Sequence, residues 1–119
     1  LFWRAMPDAA QTPQLALRYL AEMSADIKAS LILDRAGALA AARAAAGGQA
    51  GEMAELVRAL FDTAGEGVSQ VEVTTADGGV FALREHGWTI AAVTTRFALP
   101  SLIFFDLRSV LSDLEARAA

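Results

Sequence analysis

At 119 residues the chain suits a single domain, and its 55% hydrophobic content with a mean hydropathy of +0.37 exceeds what one small core absorbs, so a subunit interface is expected. The net charge of −4 and the scattering of the basic residues as singletons disfavour nucleic acid and anionic membranes as partners. The absence of cysteine excludes disulfides and thiolate chemistry and is compatible with a cytoplasmic location.

The first eleven residues are read as an arm, with residues 12–119 forming the domain. Phe2 and Trp3 of the arm pack either on the domain or on a neighbour. The stretch lacks the basic, apolar and small-residue succession of a signal peptide. That the chain begins with Leu1 leaves open a domain cut from a longer protein. Thr12-Pro13 reads as an N-cap followed by proline at the first helical position. Leu15, Tyr19, Leu20 and Met23 then form an apolar stripe, with Arg18 and Glu22 on the other side.

Asp26–Leu33 ends in three adjacent apolar residues, as expected of a strand covered on both faces. Asp34–Gly37 supplies turn residues, and Ala38–Ala45 follows. Alanine favours helix, but the short Asp/Gly turn between apolar segments is hairpin grammar, which makes this run an edge strand. Residues 46–51 hold three glycines without a Gly-Lys-Ser/Thr ending, so they read as a linker and not as a phosphate cradle.

Met53, Leu56, Val57, Leu60, Phe61 and Ala64 recur at steps that define an amphipathic helix over 52–64, with Glu55, Arg58 and Asp62 on its polar side. Gly65 and Gly67 end it. Val68–Thr75 alternates apolar and β-branched residues with polar ones. Asp77-Gly78 marks a reversal, Val80–Glu85 a second strand, His86-Gly87 another reversal, and Trp88–Thr95 a third strand: an antiparallel meander. Beyond Pro100, Leu102, Ile103, Leu107, Val110, Leu111 and Leu114 mark a last helix whose apolar face Phe104 and Phe105 widen.

No nucleophile and base, metal-ligand cluster or phosphate loop emerges. His86, beside Gly87, reads as a solvated turn histidine, and Trp88 as a residue packing on the arm or the last helix, with an interface hot spot as the alternative. No cofactor is expected, and the chain is not expected to be an enzyme.

The order helix, two strands, helix, three strands, helix, with Ala29–Gly37 as the first hairpin, Glu52–Phe61 as the middle helix and Val71–Gly79 as the later turn, resembles the Roadblock family, named for dynein light chains. The resemblance spans roughly residues 12–114 and rests on element order and hydrophobic pattern. It implies an α+β fold of three layers, α/β/α, in which a five-stranded antiparallel sheet carries two helices on one face and the middle helix on the other. It also implies a homodimer, or a heterodimer with a Roadblock-like paralogue, in which the third strands pair edge to edge and the middle helices pack together. Val68, Gln70, Val71, Glu72, Val73 and Thr74 would form that edge. Bacterial proteins of this kind often regulate Ras-like small GTPases without acting as stand-alone catalysts.

A non-catalytic interaction module for such a GTPase is therefore the first functional reading, with Glu55, Arg58 and Asp62 as partner-binding residues on the polar helix face. A plain solvated face is the bland alternative for these three. A small-ligand sensor of profilin-like or PAS-like type is the competing function. A proline at Val71 suggests itself as the test of edge pairing.

Overall fold

The computed structural model describes residues 12–44 and 48–118, so the expectations for Phe2 and Trp3 lie outside the described residues. The elements run α1 (Pro13–Met23), β1 (Ile27–Leu33), β2 (Leu39–Arg43), α2 (Gly48–Ala64), β3 (Gln70–Thr75), β4 (Gly78–Glu85), β5 (Trp88–Thr95) and α3 (Pro100–Ala118). The expected order is observed, as is the antiparallel sheet, with strands in the order β2-β1-β5-β4-β3. β1 is interior, and the alanine-rich β2 is one of the two edges.

Local chemistry accounts for the boundaries. Thr12 caps α1 by accepting from the Leu15 N–H at 3.2 Å. Asp34 closes the β1–β2 turn by accepting from the N–H groups of Ala36 and Ala38 at 2.9 and 3.0 Å, while Gly37 takes the positive φ the turn needs. That turn is why the alanine run stays extended. Antiparallel pairing of residues 39–43 with β1 outweighs the weak helix propensity of alanine there.

The period-two pattern of the strands sorts the core into two clusters. Ile32, Phe81, Leu83, Ile90 and Ala92 meet α1 and α3 on one face. Leu31, Leu33, Ala82 and Ala91 meet Ala54, Val57 and Phe61 of α2 on the other. Two layers of helix therefore sandwich the sheet, each fully buried Leu or Ile contributing about 1.5–3 kcal/mol. Phe104 meets Phe81 edge-on, with ring centroids 5.4 Å apart.

Four expectations need correction. The first-helix stripe is rotated: Leu20 is buried as expected, but with Ala16 and Leu17, while Tyr19 and Met23 are exposed, because α3 and the sheet approach α1 from the Ala16 and Leu17 side. α2 starts at Gly48, four residues before the expected Glu52. Burial of Ala50 offsets the helix cost of glycine, roughly 1 kcal/mol per residue. β3 starts at Gln70, two residues after Val68. Finally, Leu56 of α2 and Phe105 of α3 point to solvent, not into the core.

Candidate interaction site

β3 is the open edge of the sheet, and its hydrogen-bonding parity decides which groups are free. The Arg84 N–H donates to the Ser69 carbonyl at 2.7 Å, and the register Gln70↔Leu83 places Ser69 opposite Arg84. In an antiparallel ladder, bonded and non-bonded pairs alternate. Val71, Val73 and Thr75 therefore turn their N–H and C=O groups inward to β4, whereas Gln70, Glu72 and Thr74 turn theirs outward. Val71 is thus the wrong place for a proline meant to block an external strand, since it would break the internal ladder. Val68 precedes the strand and is half-buried. Side chains follow the opposite alternation: Gln70 faces α3, where it accepts from Arg108 at 3.2 Å, and Thr74 donates to Glu72 at 3.2 Å.

The face of the sheet that carries α2 is only partly covered. Ala29, Val93, Val80 and Val73 sit side by side across β1, β5, β4 and β3 on the same face as Leu31, Ala91, Ala82 and Val71. The second row lies under or beside α2. The first row is half-buried to exposed, with Val73 at 39% on the edge itself. Beside it a groove of about 120 Å³ is lined by Val73, Val80, Val93, Lys28 and the β3–β4 turn.

Two contacts tie down the helix beside this row. The Arg58 Nε donates to the Gly37 carbonyl at 2.8 Å, anchoring one flank to the β1–β2 turn, and Arg84 stacks on Phe61 at 4.2 Å. On the flank opposite Arg58, Met53, Leu56 and Leu60 follow one another at helical spacing, with Leu56 exposed at 47%. The helix therefore carries a second apolar stripe beside its core stripe, and sequence periodicity merges the two.

Of the three expected partner-binding residues, Glu55 and Asp62 are exposed on α2. Arg58 is not a member of a free polar face: it is half-buried and spent on the Gly37 carbonyl, and the described residues give it no ion pair with Glu55 or Asp62. The exposed ion pairs that sequence spacing permits are weak in solvent, whereas the Gly37 carbonyl is a part-buried acceptor for the guanidinium. His86 occupies the β4–β5 turn at φ 55°, exposed, with its carbonyl accepting from Arg35 at 3.1 Å. Trp88 packs on the α1 and α3 side of the core beneath the Arg35 guanidinium, 5.7 Å from the ring centroid. No group of three metal-ligating side chains occurs among the described residues, and none of their helices is long and apolar enough to cross a membrane.

The sequence matches no protein-family profile and no curated protein. Similarity appears among solved structures. A Roadblock/LC7 domain from Streptomyces avermitilis superposes with a TM-score of 0.79 at 16% identity, covering 88% of this chain and 96% of that one. The gliding protein MglB from Thermus thermophilus gives 0.66 at 18%, covering 87% and 85%. MglB from Myxococcus xanthus gives 0.64 at 13%, covering 91% and 90%. The chain has the Roadblock fold.

Proposed function

We propose that this Roadblock-fold chain is a non-catalytic dimeric interaction module that regulates a Ras-like small GTPase, its dimer partner being a second copy or a Roadblock-like paralogue. The observation that carries the reading is the continuity of an unpaired strand edge with an uncovered apolar row. Ala29, Val93, Val80 and Val73 lead across the sheet to outward-facing backbone groups at Gln70, Glu72 and Thr74. An unpaired edge invites a strand, and the row beside it invites an apolar helix flank. A second copy related by a two-fold axis at β3 offers both, since its α2 lies on the same face of the joined sheet and presents Leu56.

Parity and charge together select the register of that pairing. A two-fold centred on Glu72 would set two carboxylates directly opposite one another, which is destabilising. Centring on Val71 leaves Val73, Thr74 and Thr75 of each strand beyond the pairing partner's strand residues. Centring on Val73 places Val73 against its copy, pairs Glu72 with Thr74 of the other chain, and keeps residues 71–75 of both strands in the ladder.

The GTPase is assigned to the outer surface of the paired α2 helices, through Glu55 and Asp62, with Arg58 holding the helix at the correct height over the sheet. Likeness to MglB and the resemblance of element order support this assignment. A pull-down of nucleotide-loaded Ras-like GTPases from the same genome, repeated with Glu55→Arg and Asp62→Arg, tests it. Association should weaken and change its salt dependence while the melting temperature stays put. Unchanged association in both variants would remove the α2 surface from the proposal. The sensor alternative is less well supported, because the described clefts are open surface grooves in place of an enclosed apolar cavity with converging polar groups.

A further inference from the structure

Six exposed apolar side chains lie on the side of the molecule opposite α2: Tyr19, Met23, Phe97, Leu99, Leu102 and Phe105. Phe97 at 78% exposed is the extreme, and Arg96 lies over its ring at 4.9 Å. They do not belong to the β3 edge or to the uncovered row beside α2. α1 and α3 run antiparallel here: Ala16 and Tyr19 share a cleft of about 230 Å³ with Val110, and Met23 shares one of about 420 Å³ with Leu102, Ile103 and Leu99. The two clefts share Met23 and form one groove. Asp106 and Asp26 stand on its wall. Asp106 is half-buried, is desolvated enough to raise its carboxyl above the usual range, and has no cationic partner among the described residues.

We infer that this groove is the seat of the chain's own residues 1–11, with Phe2, Trp3 and Met6 filling it and Arg4 paired with Asp106. Composition, charge and reach converge on that occupant. The segment carries four large apolar residues among its first six; Arg4 is its single cation and Asp8, nearer Thr12, its single anion, so its apolar, Arg4-bearing half complements the Asp106 end of the groove. It joins the domain at Thr12, at the end of α1 remote from Phe97 and Leu99. The eleven residues of α1 span about 16 Å, whereas the six residues from Met6 to Thr12 extend to roughly 20 Å and the nine from Trp3 to roughly 30 Å. Folded back along α1, the segment brings Met6 level with Met23 and takes Trp3 and Phe2 to Leu99 and Phe97. Covalent attachment holds the anchors at millimolar effective concentration, which makes even a weak intrinsic affinity sufficient.

The absence of cysteine gives a direct test. Ala25, exposed at the groove's rim, is replaced by Ala25→Cys and its maleimide labelling rate is measured. The full chain, the same chain beginning at residue 9, and the full-length Phe2→Ala/Trp3→Ala variant are compared, with circular dichroism reporting on folding. Labelling should be about tenfold slower in the full chain than in either variant, as expected for a groove occupied nine-tenths of the time by a tethered ligand. That protection should not vary with protein concentration across the monomer–dimer transition. Equal rates in all three proteins would overturn the inference. Protection that grows with concentration would also overturn it, by assigning the groove to a second copy. The measurement is indifferent to whether a GTPase binds α2, so the two proposals fail separately.

Discussion

A proline at Glu72 tests the edge pairing with least damage to the chain itself. The ladder parity established by the Arg84 to Ser69 bond turns the Glu72 N–H outward, away from β4. Replacing it with proline removes no backbone hydrogen bond within the chain and only the exposed side-chain bond from Thr74 to Glu72, and an edge strand accepts the fixed φ. In the register centred on Val73 that N–H donates to the Thr74 carbonyl of the second copy. The two-fold doubles the effect, so Glu72→Pro deletes two of the four strand-to-strand bonds of the central pair and pushes a ring toward each facing carbonyl. At about 1 kcal/mol net per bond, the dimer should weaken by at least 2 kcal/mol, which is roughly thirtyfold in dissociation constant.

Sedimentation equilibrium across nanomolar to millimolar concentration reads that change, and thermal unfolding at the lowest concentration checks that the monomer is intact. Val71→Pro supplies the contrast. Its N–H is committed to Ala82 of β4, so the substitution should destabilise the monomer itself, by about 3 kcal/mol or more. If Glu72→Pro left the dimer constant unchanged while circular dichroism remained native, β3 would not be the pairing edge. If Glu72→Pro unfolded the protein and Val71→Pro did not, the assigned parity would be reversed.

Three further outcomes follow from the same geometry. Val73→Cys should form an intermolecular disulfide under mild oxidation, because residues facing across a non-hydrogen-bonded pair lie about 4.5 Å apart, within disulfide range. Val71→Cys should not, since in that register its copy is four residues away along the strand, roughly 14 Å; the reverse result on non-reducing electrophoresis would move the axis to Val71. Leu56→Asp should leave monomer stability within about 0.5 kcal/mol while weakening the dimer ten- to a hundredfold, as expected for losing about 1.5–3 kcal/mol of leucine burial. A dimer constant unmoved by Leu56→Asp would separate the α2 flank from the interface. Arg58→Ala should lower stability by about 1–2 kcal/mol through the orphaned Gly37 carbonyl, a drop of roughly 4–10 °C in melting temperature. An unchanged melting curve would return Arg58 to the solvated face that spacing first suggested.

Element order, the first hairpin and the meander were legible in the sequence because each rests on local chemistry: Thr12-Pro13 for the first cap, the Asp34 turn for the hairpin, period-two alternation for the meander. The layers came only from what the Roadblock resemblance implies, since the pairing of β1 with β5 that joins hairpin and meander is non-local. Arg58 was misread for a physical reason. Spacing places it three residues from Glu55 and four from Asp62, but its partner is the Gly37 carbonyl twenty-one positions away, and no local rule reports a tertiary acceptor. The early start of α2 was missed likewise, since glycine propensity is local and the burial of Ala50 is not. Ladder parity at β3 was beyond reach, because alternation of side chains states which face each residue occupies and is silent on whether its backbone bonds inward or outward. That took one hydrogen bond, from Arg84 to Ser69.

Leu56 satisfies the helical period and Val73 the strand period as well as any core residue does, yet both are exposed. Periodicity identifies the side of an element that seeks apolar company; whether the company comes from the same chain depends on how much of that side the fold covers. α2 crosses the sheet over the row of Leu31, Ala91 and Ala82 and leaves the parallel row of Ala29, Val93, Val80 and Val73 beyond it. The surplus hydrophobicity read from composition therefore resolves into two surfaces on opposite faces of the sheet. One borders an unpaired strand and suits a second copy. The other lies between α1 and α3 within reach of residues 1–11 and suits a tethered segment, so both can be filled at once without competing.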